Sequence, residues 1–232
     1  MGKTMFYERF VKNSPAVFKF VFDHEGEFAE SNGVTPVLFY DEFSSAVVGG
    51  LVVFDPAEMF PGKTPEAFNF FCDFCFATAQ AFPGPKLIAC DELQKLTGTN
   101  VFPDELACVI ETGRRYELDL ICVSHSPNLL HTRIRNQFTD VISFRQVDER
   151  AMGYLQDLGF DPSELRELPA GSFIARNVGT GAVERGTVFK KGAQNVESNL
   201  QPETQRDLPA LPGAGEGSTA AGGGAPAATT PA

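Results

Sequence analysis

Apolar segments of strand length alternate with helical ones along this chain, which predicts an α/β fold on a mostly parallel sheet covered on both faces. Two further observations support that class. Apolar runs end abruptly in acids at Phe22-Asp23, Phe54-Asp55 and Cys90-Asp91, as buried strands do where their ends meet solvent. The chain has 232 residues, of which 43% are hydrophobic, enough for one domain with an ordinary core.

Taken in order, Gly2-Lys3-Thr4 is followed by a stretch expected to be helical through about Val11, then a strand from Val17 to Phe22 and the loop His24-Glu25-Gly26-Glu27. Val37 to Tyr40 reads as a short strand, Asp41 to Val48 as a short helix and Leu51 to Phe54 as a strand ending in Asp55. A helix with Thr64 as N-cap and Pro65 in its first position is expected to reach about Phe82. Pro83-Gly84-Pro85 breaks the chain before a strand that runs into Asp91-Glu92. Beyond it the pattern predicts helix Pro103 to about Arg115, strand Leu118 to Ser124, helix from about Leu130 to Phe138, strand Val141 to Arg145 and helix Glu149 to Leu158. A hairpin of Ser172 to Arg176 and Gly186 to Phe189 around Gly179-Thr180-Gly181 closes the domain, which spans residues 1–191. Residues 192–232 are rich in Pro, Gly, Ala and Thr and are expected to form a disordered tail.

Composition excludes several classes. The longest apolar run, around Ala46 to Phe54, is far too short to span a bilayer, and no signal-peptide pattern is visible. Five cysteines, an odd number, argue against a disulfide framework and for a reducing cytoplasm. Cys72 and Cys75 form a C-x-x-C, but they share a helical apolar stripe with Phe68, Phe71, Phe76 and Ala79, which favours core packing over metal. A net charge of −11 argues against a general nucleic-acid binder. The charge is uneven: residues 1–110 hold 15 acids and 7 bases, whereas residues 111–191 hold 11 of each. Nucleic acid would have to be met by a local surface, such as the pore of a ring.

The most informative segment is Lys86-Leu87-Ile88-Ala89-Cys90-Asp91-Glu92, a buried strand ending in paired acids. That is a Walker B signature, in which the first acid holds a magnesium-bound water shell and the second takes a proton from the attacking water. Asp91 and Glu92 would have those roles; the plain alternative is a core strand with a polar end. At the other end of the chain, Gly2-Lys3-Thr4 opens the first helix and matches the close of G-x-x-x-x-G-K-[ST]. Lys3 would pair with β and γ phosphate oxygens, and the Thr4 hydroxyl would ligate Mg2+. The chain is therefore read as beginning inside its phosphate loop, and the piece as given is expected to bind nucleotide poorly. A second triplet, Gly62-Lys63-Thr64, is a decoy: Ala57 stands where the first glycine belongs, and Pro65 disfavours helical dihedrals at Thr64.

Downstream, Thr112-Gly113-Arg114-Arg115-Tyr116 is followed by Leu120-Ile121-Cys122-Val123-Ser124-His125-Ser126-Pro127. Arg114 or Arg115 could reach a neighbouring subunit's γ-phosphate, or could simply close a helix C-terminus by charge and dipole. Ser124 and His125 could sense phosphate in cis, or be a plain strand end.

Together these blocks resemble the FtsK/HerA superfamily of hexameric DNA-pumping ATPases, and within it the genome-packaging ATPases of membrane-containing phages and the filamentous-phage assembly ATPases. The resemblance covers roughly residues 2–190 and includes Phe22-Asp23-His24-Glu25-Gly26-Glu27. His125 stands where such proteins usually carry Gln. The resemblance implies a RecA-like P-loop NTPase core with a C-terminal β-hairpin, and ATP with Mg2+ as cofactors. It also implies a homohexameric ring that translocates DNA, a capsid or membrane-vertex protein as anchor, and a host-cytoplasmic or virion-associated location. The expected activity is ATP-driven DNA translocation for viral genome packaging. Catalytic duty would fall to Glu92, Arg114 and Arg115, nucleotide binding to Gly2, Lys3, Thr4, Ser124 and His125, and metal binding to Thr4 and Asp91. The alternatives are a filamentous-phage assembly or secretion ATPase and a catalytically inactive remnant of the fold.

Overall fold

The computed structural model describes residues 2–97 and 102–189. The chain runs through α1 (Lys3–Asn13), β1 (Phe18–Phe22), α2 (Glu27–Asn32), α3 (Phe43–Val48), β2 (Leu51–Phe54), α4 (Thr64–Ala81) and β3 (Lys86–Cys90). It continues through α5 (Leu93–Thr97), α6 (Asp104–Thr112), β4 (Leu118–Cys122), α7 (Thr132–Arg135), β5 (Asp140–Phe144), α8 (Glu149–Asp157), α9 (Pro162–Glu167), β6 (Ser172–Asn177) and β7 (Val183–Thr187). Four strands pair in parallel in the order β2-β1-β3-β4, and β5-β6-β7 form a separate antiparallel sheet. Among the described residues, the outer edges of β4 and β5 have no strand partner.

Period-two alternation sorts the parallel strands into two faces. Phe20, Phe22, Val52, Phe54, Ile88 and Cys90 form one, packed against Phe68, Phe71, Cys72 and Cys75 of α4. Val21, Val53, Leu87 and Ala89 form the other, covered by Tyr7 and Val11 of α1 and Phe28 of α2. Burial of both faces explains why these strands read as unbroken apolar runs. Cys72 and Cys75 have no exposed surface, and burial pushes both thiols well up. Helix α1 also meets the second sheet: the Phe6 ring packs edge-on to Phe173 at 5.2 Å, and Arg9 donates to the Val188 carbonyl.

Because the four strands are parallel, their carboxyl ends share one edge. Phe22 pairs in register with Phe54 and Cys90, and Cys90 with Cys122, so Asp23, Asp55, Asp91 and Val123 leave the sheet at one level. In open α/β sheets this edge is where ligands bind.

Several local expectations are corrected. Val37 to Tyr40 is not a strand; Val37 bridges Phe54 alone, and Tyr40–Glu42 is a 3-10 turn. The Glu42 carboxylate accepts from the N–H groups of Leu38 and Phe39 at 2.7 and 2.9 Å and draws the chain into that turn. Thr64 is the first helical residue of α4 and not its cap; Lys63 precedes it, without a side-chain cap bond. Helix α6 stops at Thr112, and Gly113–Tyr116 continues as a 3-10 turn. The helix expected from Leu130 to Phe138 shrinks to α7. The hairpin's second strand lies about three residues earlier than expected, because the Asn177 carboxamide accepts from the Thr180 N–H at 2.9 Å and closes a short turn. Helices α2, α5 and α9 leave no pattern in the sequence; each has only five or six residues, too short for a helical period to show. The tail expected from residue 192 onward lies outside the described residues.

Candidate active site at the carboxyl edge of the sheet

Helix α1 begins at Lys3, and its entry is tight. A Cβ on Gly2 would lie 2.8 Å from Cε1 of Phe144, so glycine is what lets the chain pass β5 into the helix. This entry holds Lys3 and Thr4 over the ends of β3 and β4. The Lys3 ammonium donates to the Ser124 carbonyl at 3.4 Å and lies 3.2 Å from His125 Nδ1. Burial lowers the Lys3 pKa, while the charges of Asp91 and Glu92 oppose that shift. Thr4 and Asp91 line one small cavity with Tyr7, Asp23, His24 and Glu25. The structure thus brings together Gly2, Lys3, Thr4, Asp91, Glu92, Ser124 and His125.

The paired acids differ in environment. Burial is the main cause that raises the Asp91 pKa; the Glu92 N–H, which donates to Asp91 Oδ1 at 2.7 Å, works against it. Glu92 sits at φ 53°, a left-handed conformation uncommon for a residue with a Cβ. That kink turns its carboxylate off the strand axis into a set of donors. Lys95 Nζ approaches Oε2 at 2.9 Å, Gln94 Nε2 donates to Oε2 at 3.1 Å, and His125 Nε2 approaches Oε1 at 2.9 Å. Lys95 also pairs with Glu25 at 2.9 Å, and these two bonds raise its pKa. The same bond to Lys95 is the first cause holding Glu25 below the usual carboxylate range.

Asp23, Glu25 and Lys95 were not assigned roles from the sequence. Asp23 is buried, and its two oxygens accept from the N–H groups of Phe28 and Ala29 at 3.1 and 2.8 Å, anchoring α2 beside the cavity. Lys95 lies three residues after Glu92, a spacing that brings side chains together on a helix, and this was the available signal.

Magnesium takes hard oxygen donors and keeps part of its water shell. Thr4 and Asp91 supply such donors. The cavity they line, about 20 Å³, has room for roughly one water. Among the described residues, two buried polar atoms of its lining residues, Tyr7 Oη and His24 Nε2, have no hydrogen-bond partner, which leaves capacity for one ligand or water. Thr4 and Asp91 are the residues that would hold the metal.

Arg114 and Arg115 stand apart from this cluster. They occupy the 3-10 turn that leads into β4, beside the amino end of β3, where the Glu117 carbonyl accepts from the Lys86 N–H at 2.7 Å. Arg115 shares a shallow surface cavity there with Lys86 and Phe82. Lys86 is itself buried, with its ammonium donating to the carbonyls of Gly84 and Tyr116.

Solved structures resemble this architecture. The genome packaging NTPase B204 from Sulfolobus turreted icosahedral virus 2, in complex with AMPPCP, aligns with a TM-score of 0.63 at 13% identity, covering 82% of this chain and 95% of that one. Its complex with ATP-gammaS gives 0.62 at 13% identity, over 81% and 94%. B204, the DNA-packaging ATPase from Sulfolobus turreted icosahedral virus, gives 0.61 at 14% identity, over 79% and 90%. The chain shares its fold with these B204 structures. No family model and no curated protein matches the chain.

Proposed function

We propose that this P-loop chain is an ATP-dependent DNA translocase that packages a viral genome as a homo-oligomeric ring, most simply a hexamer. One observation carries the nucleotide part of the reading: the amino end of α1 and the acids after β3 meet at one edge of the parallel sheet, with Thr4 and Asp91 on one cavity. The fold shared with B204, named as a DNA-packaging ATPase, supports the packaging part.

In this mechanism Lys3 leaves the Ser124 carbonyl and His125 to pair with phosphate oxygens, which outcompete neutral acceptors by charge. Thr4 and Asp91 would hold magnesium, which would supply positive charge to the phosphates. Glu92 accepts a proton from the attacking water, and Lys95 and Gln94 keep its other oxygen fixed. Arg114 or Arg115 acts on a neighbouring subunit's nucleotide.

The test is ATP hydrolysis with and without DNA, measured with the oligomeric mass, on the chain as given and on the chain extended upstream in its reading frame. DNA-stimulated turnover by a ring is expected of the extended chain. Nucleotide binding without turnover would favour the inactive remnant, and turnover indifferent to DNA would overturn translocation.

A further inference from the structure

His125 lies between two groups that the proposed chemistry needs. Its Nδ1 is 3.2 Å from the Lys3 ammonium and its Nε2 is 2.9 Å from Glu92 Oε1. Lys3 carries only donors, so Nδ1 must accept. A neutral imidazole that accepts at Nδ1 carries its proton at Nε2, the nitrogen that faces a carboxylate. Both contacts select one tautomer, and the ring is a continuous bridge from ammonium to carboxylate.

The two oxygens of Glu92 are held differently. Oε2 has Lys95 and Gln94, neither of which touches Lys3; among the described residues, Oε1 has His125 alone. Glu92 is mostly buried, whereas the His125 side chain is 64% exposed and free to turn once it loses a partner. From this arrangement we propose that His125 is a positioning residue that couples Lys3 to Glu92: it occupies Glu92 Oε1 while the phosphate site is empty and releases it when phosphate draws Lys3 away.

The inference rests on the reading of Lys3 as the phosphate-binding lysine. Phosphate oxygens pull the ammonium from Nδ1, and the ring keeps only one of the two contacts that held it, the one to Glu92. The ring can then turn out, and Glu92 stays in place through Oε2 with Oε1 open to a water. An oxygen with no N–H bonded to it has its lone pairs open to a water. The base is thereby shielded until a phosphate is present. In this role His125 makes its contacts to protein groups in the empty site, which differs from sensing the phosphate directly.

The coupling has a thermodynamic signature. Contacts present only in the empty site oppose ligand binding, so their removal must tighten it. His125→Ala is expected to lower the dissociation constant for AMPPCP with magnesium by about three- to ten-fold, the worth of one or two ordinary hydrogen bonds. A second measurement needs no nucleotide. The ring 15N shifts of His125 should report the Nε2–H tautomer in the empty protein, and Lys3→Met should move the Nδ1 resonance. An Nδ1–H tautomer, or an Nδ1 resonance indifferent to Lys3→Met, overturns the bridge. Unsubstituted protein that binds AMPPCP with an affinity that His125→Ala weakens or leaves unchanged overturns the coupling alone. These titrations use the chain extended upstream in its reading frame, and failure of that unsubstituted protein to bind AMPPCP overturns the phosphate site and the coupling with it.

Discussion

Replacing Glu92 by Gln should separate binding from hydrolysis. Three donors converge on this carboxylate, His125 on Oε1 and Lys95 and Gln94 on Oε2. A carboxamide offers one oxygen in place of two, so its NH2 must face either the Lys95 ammonium or the His125 N–H. The first arrangement leaves Lys95 paired with Glu25, and an exposed ion pair of this kind contributes little. Nucleotide affinity in Glu92→Gln should therefore stay within about fivefold of the unsubstituted protein. A general base is worth far more, about a hundred- to ten-thousand-fold in rate, and the carboxamide cannot accept the proton. Single-turnover hydrolysis and calorimetric titration with AMPPCP, on the same preparation, measure the two quantities side by side. Hydrolysis that persists within tenfold of the original would refute the base assignment. Loss of hydrolysis in proportion to loss of binding would refute it equally, because Glu92 would then serve the nucleotide's seat and not the water.

Asp23→Ala leaves two buried N–H groups without acceptors and should cost about 2–4 kcal/mol in urea-induced unfolding; a change under about 0.5 kcal/mol would mean α2 is anchored otherwise. Asp91 has a pKa raised chiefly by burial, so the folded state favours its protonated form and stability falls as pH climbs from the ordinary carboxylate value to the raised one. Asp91→Asn should accordingly raise the thermal midpoint of the nucleotide-free protein at neutral pH, while abolishing magnesium-dependent AMPPCP binding. Gly2→Ala sets a Cβ 2.8 Å from Phe144 and should displace the start of α1, weakening AMPPCP binding together with a loss of about 1–3 kcal/mol in stability; unchanged binding would show that this entry does not position Lys3.

What the sequence made legible follows from which interactions are local. The strand Leu51–Phe54 and the helices α1, α4 and α8 match within a residue or two, because burial on one or two faces writes a period directly into the sequence. The site's main elements were readable for a similar reason: Asp91-Glu92 and Gly2-Lys3-Thr4 are contiguous motifs. Their meeting was an expectation, since sequence carries no direct record of Lys3 reaching the Ser124 carbonyl across 121 positions. Contacts made by single side chains were not legible. Glu42 folds its own turn by reaching back to Leu38 and Phe39, and Asp23 seats a six-residue helix too short to show a period. The network from Glu25 through Lys95 to Glu92 joins two separate stretches of chain, and only its last link is local.

Placement of the arginines gives the proposed ring a physical argument. Asp91 and Glu92 leave the carboxyl end of β3, whereas Arg114 and Arg115 lie beside its amino end, near Lys86. A five-residue strand spans roughly 16 Å at about 3.3 Å per residue. An arginine side chain reaches less than half of that, so neither guanidinium can touch a phosphate held by Lys3 of its own chain. A catalytic role for either arginine therefore demands a second subunit whose carboxyl edge lies against the first one's amino edge. Such a contact joins unlike surfaces, and repeated with a fixed rotation it closes into a ring or runs on as a filament. If instead the chain works as a monomer, Arg114 and Arg115 keep only their local duties, beside Asp119 and at the helix C-terminus, and hydrolysis would have to proceed without them.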